Sequence, residues 1–549
     1  MSRTSVARWI RTLRHLRADQ AAAQLRHFAG GKVTPVRLNP PVTWGASPVP
    51  VPFLGAPAHI EGDGSRLRLL RCEVDFGDRI DWDRAAEGPL WAFHLHQFDW
   101  LRQPGLDPGR RAAWMLDWVE RHPRGVGWRP HPISLRLLSW IKLLGTPGAL
   151  ELDGESRERL VASMGDQAET LARHPEVRLQ ANHLFSNWLG VVAAGLAFRG
   201  TAADAWLACA GQLRTQMDRQ IGASGSHVER SPMYHSLLLE NVLDLLNLSR
   251  AAPGRAPREL DAHLEETAAR MRGALAVWTH PDGQIALLSD SAFAIAQAPA
   301  RLHAYAEALG VREEPPQRGG WLSDSGSLRL EAGSFSVLAS LAGPQPAYQP
   351  GHAHCDALSF ELCVGDERVV TDAGVAEYVP GDLRDHSRAT RSHATIEVDG
   401  FDQAELWGAH RVGGRPTVTV EAVVPPSHAA ARCAGWATRD TVHRREFAVT
   451  EAGVEIVDSI EGTPAPVFLS LPLAPGLEPE WIRSEDIAVA ARVTLASGRI
   501  LRIDLPEGAD WALEREGYSP EFGLEIERAC LRGRARNFRR GTWRFTFEP

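Results

Sequence analysis

The sequence predicts a chain of two unlike halves, a helical half followed by a β half. Three observations carry this. The 549 residues far exceed the roughly 150 of a single domain, so at least two cores can form. From about residue 85 to 310 the apolar side chains recur at the 3.6-residue spacing of a helix. Near residue 320 the period falls to two, the spacing of half-buried strands.

The elements follow in order. Residues 1–28, MSRTSVARWIRTLRHLRADQAAAQLRHF, form a basic amphipathic helix without the apolar run of a signal-peptide core. Its Arg11, Arg14 and Arg17 are first a solvated face and second a contact for an anionic membrane. A proline-rich passage over 35–58 cannot continue a helix and becomes an extended strap across the next domain. The helical segments include WAFHLHQFDWL, RRAAWMLDWVERH, ISLRLLSWIKLL, HLFSNWLGVVAAGLAF, AADAWLACAGQLRTQMDRQI and SLLLENVLDLLNLS. Short connections between them favour antiparallel hairpins arranged as a bundle, a solenoid or a closing ring. Nine or more alternating strands then run from SGSLRLEAG to WRFTFEP, punctuated by Gly and Asp turns, and argue for a large antiparallel sandwich.

Composition narrows the function. A charged fraction of 23% with 44% hydrophobic residues is globular. The net charge of −8 supplies no field for a polynucleotide backbone, so no nucleic-acid partner is expected. Lys32 and Lys142 are the two lysines, and arginine, suited to gripping carboxylates and sulfates, carries the remaining positive charge. The six cysteines lack a CxxC pair or framework spacing and read as isolated buried thiols. No segment is apolar enough to cross a bilayer. Taken as written the chain is expected in the cytoplasm, or in the periplasm if its true start or export route differs. Oligomeric state leaves no signature.

Three groups of residues carry chemistry. Trp is abundant, 18 against 5 Tyr; most will be core, but flat indoles also stack on sugar rings, and Trp128 in GWRPHPIS sits in a loop-like context. In the helical half, Asn182-His183 opens a helix, where an amide can simply cap. The passage HVERSPMYHSLLLEN adds Glu229, Tyr234 and His235. Positive neighbours there would favour tyrosinate at Tyr234. In the β half, His352, His354 and Asp356 come from GHAHCDALSFEL, Asp372 and Tyr378 from TDAGVAEY, and Arg388 and His393 from RDHSRATRSHATIEVDG. Two imidazoles, a carboxylate and a third imidazole make a reasonable zinc set, against the simpler reading of hydrogen-bonded histidines on a polar sheet face.

Taken together, Asn182-His183, E-R-S-P-M-Y-H, H-A-H-C-D-A-L-S-F-E-L, T-D-A-G and R-S-H-A-T-I-E-V-D-G resemble the heparinase II/III family of polysaccharide lyases, related to the oligoalginate lyases. The resemblance covers both halves, including Trp128 to Arg136. It implies an incomplete (α/α) toroid followed by an antiparallel β-sandwich with the cleft between them, divided as 1–60 helix and strap, 61–315 toroid and 316–549 sandwich. It also implies roles: Asn182 neutralises a carboxylate, Tyr234 handles protons, His352 partners it from the sheet, and His354, Asp372 and His393 bind one divalent metal, zinc favoured, in a structural role. Ala394 stands where the family usually has Asn.

The expected reaction is β-elimination in an acidic polysaccharide or oligosaccharide. A base removes the C5 proton of a uronic acid while Asn182, helped by His183 or Arg388, neutralises its carboxylate. Tyr234 serves as base and acid if both groups lie on one face; His352 takes the base role otherwise. Trp128, Glu229, His235 and Arg388 are the expected substrate contacts. Two alternatives stand beside this: a glycoside hydrolase pairing Glu229 with Asp356 or Asp290, and a non-catalytic glycan-binding or polysaccharide-assembly protein.

Overall fold

The computed structural model describes residues 3–28, 30, 33–57, 61–62, 66–77, 79–122 and 124–548. Ten α-helices between Pro89 and Ala308 build the first domain among these residues. Their starts are encoded locally: Asp107 and Asp153 accept from the backbone of Arg110 and Ser156, and proline follows at the first helical position in Pro108–Arg121. Pro130–Gly145 packs on Ala181–Ala197, which in turn meets Pro232–Arg250, and that helix packs on Arg258–Trp278. The arrangement is an incomplete (α/α) toroid. Trp91, Trp100, Trp118, Trp140, Trp206 and Trp278 fill its core, where truncating such a ring costs about 3–5 kcal/mol.

Two expected helices are broken. The run through WAFHLHQFDWL stops at Phe98, whose φ of 62° turns the chain into a short 3-10 turn over Asp99–Arg102. The run AADAWLACAGQLRTQMDRQI splits into Thr201–Leu207 and Ala210–Gln220. At Phe98 a fully buried ring at the corner overrides the local periodicity. The N-terminal segment likewise forms two helices, Arg3–Leu13 and Ala18–Phe28. The strap crosses the toroid as its prolines require: Val36 and Leu38 donate to Thr170 and Asp166, and Thr43–Trp44 pairs with Phe198–Arg199. A three-stranded sheet of Glu61–Gly62, Arg66–Leu69 and Cys72–Asp75 was not legible in the sequence.

The second domain is an antiparallel β-sandwich. An eight-stranded sheet runs in the order 417–424, 428–434, 441–450, 453–462, 540–547, 500–504, 487–494, 480–484. Sheets of five strands (321–370) and four strands (396–398, 467–472, 524–535 and 510–521) complete it. Thr441–Thr450 alternates buried and half-exposed residues along its length, the period-two pattern seen in the sequence. Phe335, Phe360, Phe447, Trp543 and Phe545 fill the space between the sheets.

The domains are joined by a polar seam over residues 277–293. Arg329 donates to the carbonyls of Val277 and Thr279, His280 Nε2 lies 3.0 Å from Glu361, and Phe293 N donates to Pro520 O. Within this seam the backbone N–H of Asp290 donates to the carbonyl of His352 at 3.0 Å. Helical and β side chains are thereby brought to one place.

Candidate active site

The site lies where three loops arrive with strained backbones. Gln180 and Ala181 precede Asn182 at φ 59° and 48°, Arg230 follows Glu229 at 61°, and Ser289 precedes Asp290 at 54°. Left-handed non-glycine residues cost energy and cluster where surrounding contacts hold functional side chains in place. Asn182 is not a helix cap. It sits in the first turn of Ala181–Ala197, and its Nδ2 donates to both Glu229 oxygens at 2.9 and 2.8 Å. Ser231 is the cap of Pro232–Arg250: its hydroxyl accepts from Tyr234 N and donates to Asp290 O. That cap fixes Tyr234 against the seam.

Asp290 is the hub, and its position follows from topology alone. Arg384 Nη2 donates to it at 2.8 Å and Arg384 Nη1 bonds its other oxygen; His352 Nδ1 and His354 Nε2 each lie 2.8 Å from it. Burial alone would raise the carboxyl pKa, but Arg384 and the two imidazole bonds hold it well below the usual range. A carboxylate can only accept, so the network assigns the protons to His352 Nδ1 and His354 Nε2. His352 Nε2 is the ring nitrogen that Asp290 does not engage. The His352 ring lies 4.2 Å from that of Tyr234, whose hydroxyl is 3.0 Å from the Tyr378 hydroxyl.

Tyr234, Tyr378, Asn182 and His131 line one cavity of about 110 Å³, together with Asp99, Arg102, Lys142 and Glu240 from the toroid. The two cations there are paired, Arg102 with Asp99 at 3.0 Å and Lys142 with Glu240 at 3.2 Å. His183 Nδ1 meets Glu176 at 2.9 Å, and its ring stacks on His131 at 4.1 Å. Desolvation would lower the His183 pKa, yet the Glu176 charge and hydrogen bond outweigh it and raise it. His131, Glu176 and His183 bring donors within 4.8 Å, but the ion pair and ring stacking already account for that geometry.

The residues expected to bind metal converge. Donor atoms of His354, Asp372 and His393 lie within 4.8 Å of one another and all three residues are buried. His354 Nδ1 and His393 Nε2 have no hydrogen-bond partner, a costly state for buried polar atoms that a cation would relieve. Burial drops His354 to about 4, against the pull of Asp290, so the imidazole is neutral as a ligand must be. Its other nitrogen is held by Asp290, the carboxylate–imidazole arrangement that orients metal ligands. The set fits a divalent ion.

Several expectations are corrected. Trp128 stacks on Trp118 and its Nε1 donates to His122 O, so the ring is toroid core rather than a sugar platform. His235 is fully buried against Trp278 with Nε2 on Met271 O. Arg388 is spent on the carbonyls of Ala353, Gly408 and Ala409. Glu229, 1% exposed, faces Asn182 and positions it rather than ligand. Tyrosinate is also disfavoured: burial first, then the Asp290 and Glu229 charges, push the Tyr234 phenol well above its ordinary value, despite the Tyr378 bond and Arg384. The carboxylates suggested for hydrolysis are committed too, Glu229 to Asn182 and Asp290 to three cations or imidazoles. Arg384, Tyr378 and His131 had no assigned catalytic role in the sequence, and Asp290 had one only in the hydrolase alternative, because the contacts that bring them to the site are made between distant parts of the chain.

Comparison with known proteins agrees with the two-domain fold. The model "Heparinase II/III N-terminus" matches residues 74–313 and "Heparinase II/III-like, C-terminal" matches 314–540. The FtsZ-localized protein C of Caulobacter vibrioides is 28% identical over 324 residues, 57% of this chain and 52% of that protein. The heparin-sulfate lyase of Pedobacter heparinus is 23% identical over 374 residues, 59% and 54% of the two chains. The chain thus spans about half the length of the curated relatives it matches. Among solved structures, heparinase III has a TM-score of 0.68 at 16% identity, covering 86% of this chain and 79% of that one. A heparan sulfate lyase from Pedobacter heparinus has 0.60 at 17%, covering 87% and 80%. Among the described residues, no helix is long and apolar enough to cross a membrane.

Proposed function

The chain belongs to the heparinase II/III family, and from that premise we propose that it is a polysaccharide lyase, cleaving a uronic-acid-containing acidic polysaccharide or oligosaccharide by β-elimination. One observation carries the proposal: an amide held by Glu229 and a phenol line one cavity, and an imidazole held by Asp290 packs against that phenol with 4.2 Å between the rings.

The difficult step is removing a C5 proton, which is acidic only when the neighbouring carboxylate is neutralised. Asn182, its amide oriented by Glu229, lines the cavity and can turn Nδ2–H toward that carboxylate, and His183, whose affinity for a proton the Glu176 charge raises, follows it in the chain. His352 Nε2 takes the C5 proton, while Asp290 stabilises the imidazolium that forms. The electron pair becomes the C4=C5 double bond as the C4–O4 bond breaks. Tyr234, held neutral by burial, gives its proton to the leaving O4. The His352 and Tyr234 rings are adjacent, so the proton can pass from imidazolium to tyrosinate and close the cycle.

His354, Asp372 and His393 would hold one divalent ion, zinc by their donor chemistry. Its part in this reading is structural, since elimination consumes no hydroxide. It would tie Asp372 and His393 to His354, which shares Asp290 with the catalytic imidazole.

The test is a panel of acidic glycans, alginate, heparan-type chains and bacterial exopolysaccharides, followed by ultraviolet absorbance of the C4=C5 bond. Rising absorbance on at least one member is expected. New reducing ends without absorbance would replace the reading by hydrolysis, and tight binding with neither product would replace it by a glycan-binding or assembly role.

A further inference from the structure

The N-terminal helix pair has two faces, and the second has no use in the site. The inner face is fastened to the sandwich. Arg11 reaches Glu405 through Nε at 2.7 Å and Nη2 at 2.6 Å, Arg8 joins the same carboxylate at 3.2 Å, and Trp9 meets Trp407 edge-on at 4.6 Å. In the second helix Gln20 Nε2 donates to the carbonyls of Arg178 and Tyr348. This contact removes Arg11 from any membrane role, and Arg17 lies over the Tyr348 ring near Asp19.

The outer face is apolar. Val6, Ile10 and Leu13, at the 4 and 3 spacing of one helical stripe, are 48%, 63% and 48% exposed, and Leu25 and Phe28 are 70% and 77% exposed. These five are among fourteen large apolar side chains exposed in the described residues, so a short segment holds more than a third of them. Charge surrounds the stripe. Residues 1–28 contain six arginines against one aspartate in a chain of net charge −8, and Arg14, Arg26 and His27 are exposed.

We propose that this face docks on the surface of an anionic lipid bilayer, with the apolar stripe at the acyl boundary and the exposed Arg14 and Arg26 at the lipid phosphates. Each helix has eleven residues, about half of what a membrane crossing needs, so the pair lies on the surface instead of spanning it. Charge selects this occupant over a second copy, which would set two basic faces against each other. Fastening of the inner face to Glu405 and Trp407 leaves the outer stripe available while the fold is intact. The proposal does not depend on the lyase reading.

The experiment is co-sedimentation of the full chain with sucrose-loaded vesicles of phosphatidylcholine alone or mixed with phosphatidylglycerol. Binding is expected to the mixed vesicles only, weakening with added salt. Ile10→Asp combined with Phe28→Asp should reduce the bound fraction on the order of tenfold, with an unchanged thermal melt. Both substitutions are at exposed positions, so the melt checks that the fold survives. Absence of binding to either vesicle, equal binding to both, or full binding by the double variant overturns the proposal. So does a dimer in sedimentation velocity that Ile10→Asp dissociates, because the stripe would then be covered by a second copy.

Discussion

At the residue scale the chemistry turns on what burial does to a phenol. A tyrosine near arginine and histidine invites the expectation of tyrosinate, but desolvation outweighs those charges at Tyr234 and keeps its proton in place. Its role therefore shifts from base to acid, and His352 becomes the base. Tyr234→Phe is expected to lower kcat about 10²–10⁴-fold without moving the melting temperature; a loss smaller than about tenfold would transfer the acid role to its partner Tyr378. His183 provides a pH signature. Its folded-state pKa is raised, so the pair with Glu176 stabilises the fold fully below the ordinary histidine pKa of about 6.5. That stability is lost as pH rises through the raised value. Denaturant unfolding across neutral to alkaline pH should show this decline in the wild type and a flatter profile in His183→Gln. Identical profiles would mean that Glu176 does not hold the proton.

At the element scale, loops and helix starts decide the site. Pro232–Arg250 begins with Ser231-Pro232, a start legible in the sequence from the cap and the proline. Asn182 looked equally like a cap, and only the left-handed backbone at Gln180 and Ala181 reveals that it is displaced into the first turn and turned toward Glu229. The seam segment is the most exposed to single changes. Asp290 carries Arg384, His352 and His354 in a fully buried position. Asp290→Asn leaves the Arg384 charge without its counter-ion and is expected to cost about 3–5 kcal/mol, measured as a drop in the urea midpoint. A midpoint unchanged within error would show that Arg384 is compensated by its carbonyl partners instead.

At the scale of the whole molecule, two cores are held in register by a polar seam, and the three residues proposed to hold a metal lie on its β side. If an ion ties the segments that carry His354, Asp372 and His393, purified protein should contain close to one zinc. His354→Ala and His393→Ala should each lose it and melt at lower temperature, and a chelator should reproduce the shift in the wild type. Unchanged metal content in both variants would remove these residues as ligands. The sequence by itself determined the two-part architecture, because the change from a 3.6-residue to a two-residue apolar period reports which faces are buried without reference to distant contacts. It also supplied the motif residues Asn182, Tyr234, His352, His354, Asp372 and His393, each embedded in a recognisable local run. Only the tertiary structure decided that Trp128, His235 and Arg388 belong to packing, and that Asp290 orients the imidazole from 62 residues away. The physical reason is that burial and pairing are properties of what surrounds a side chain. Along a chain those surroundings are separated by whole domains, and no local period records them.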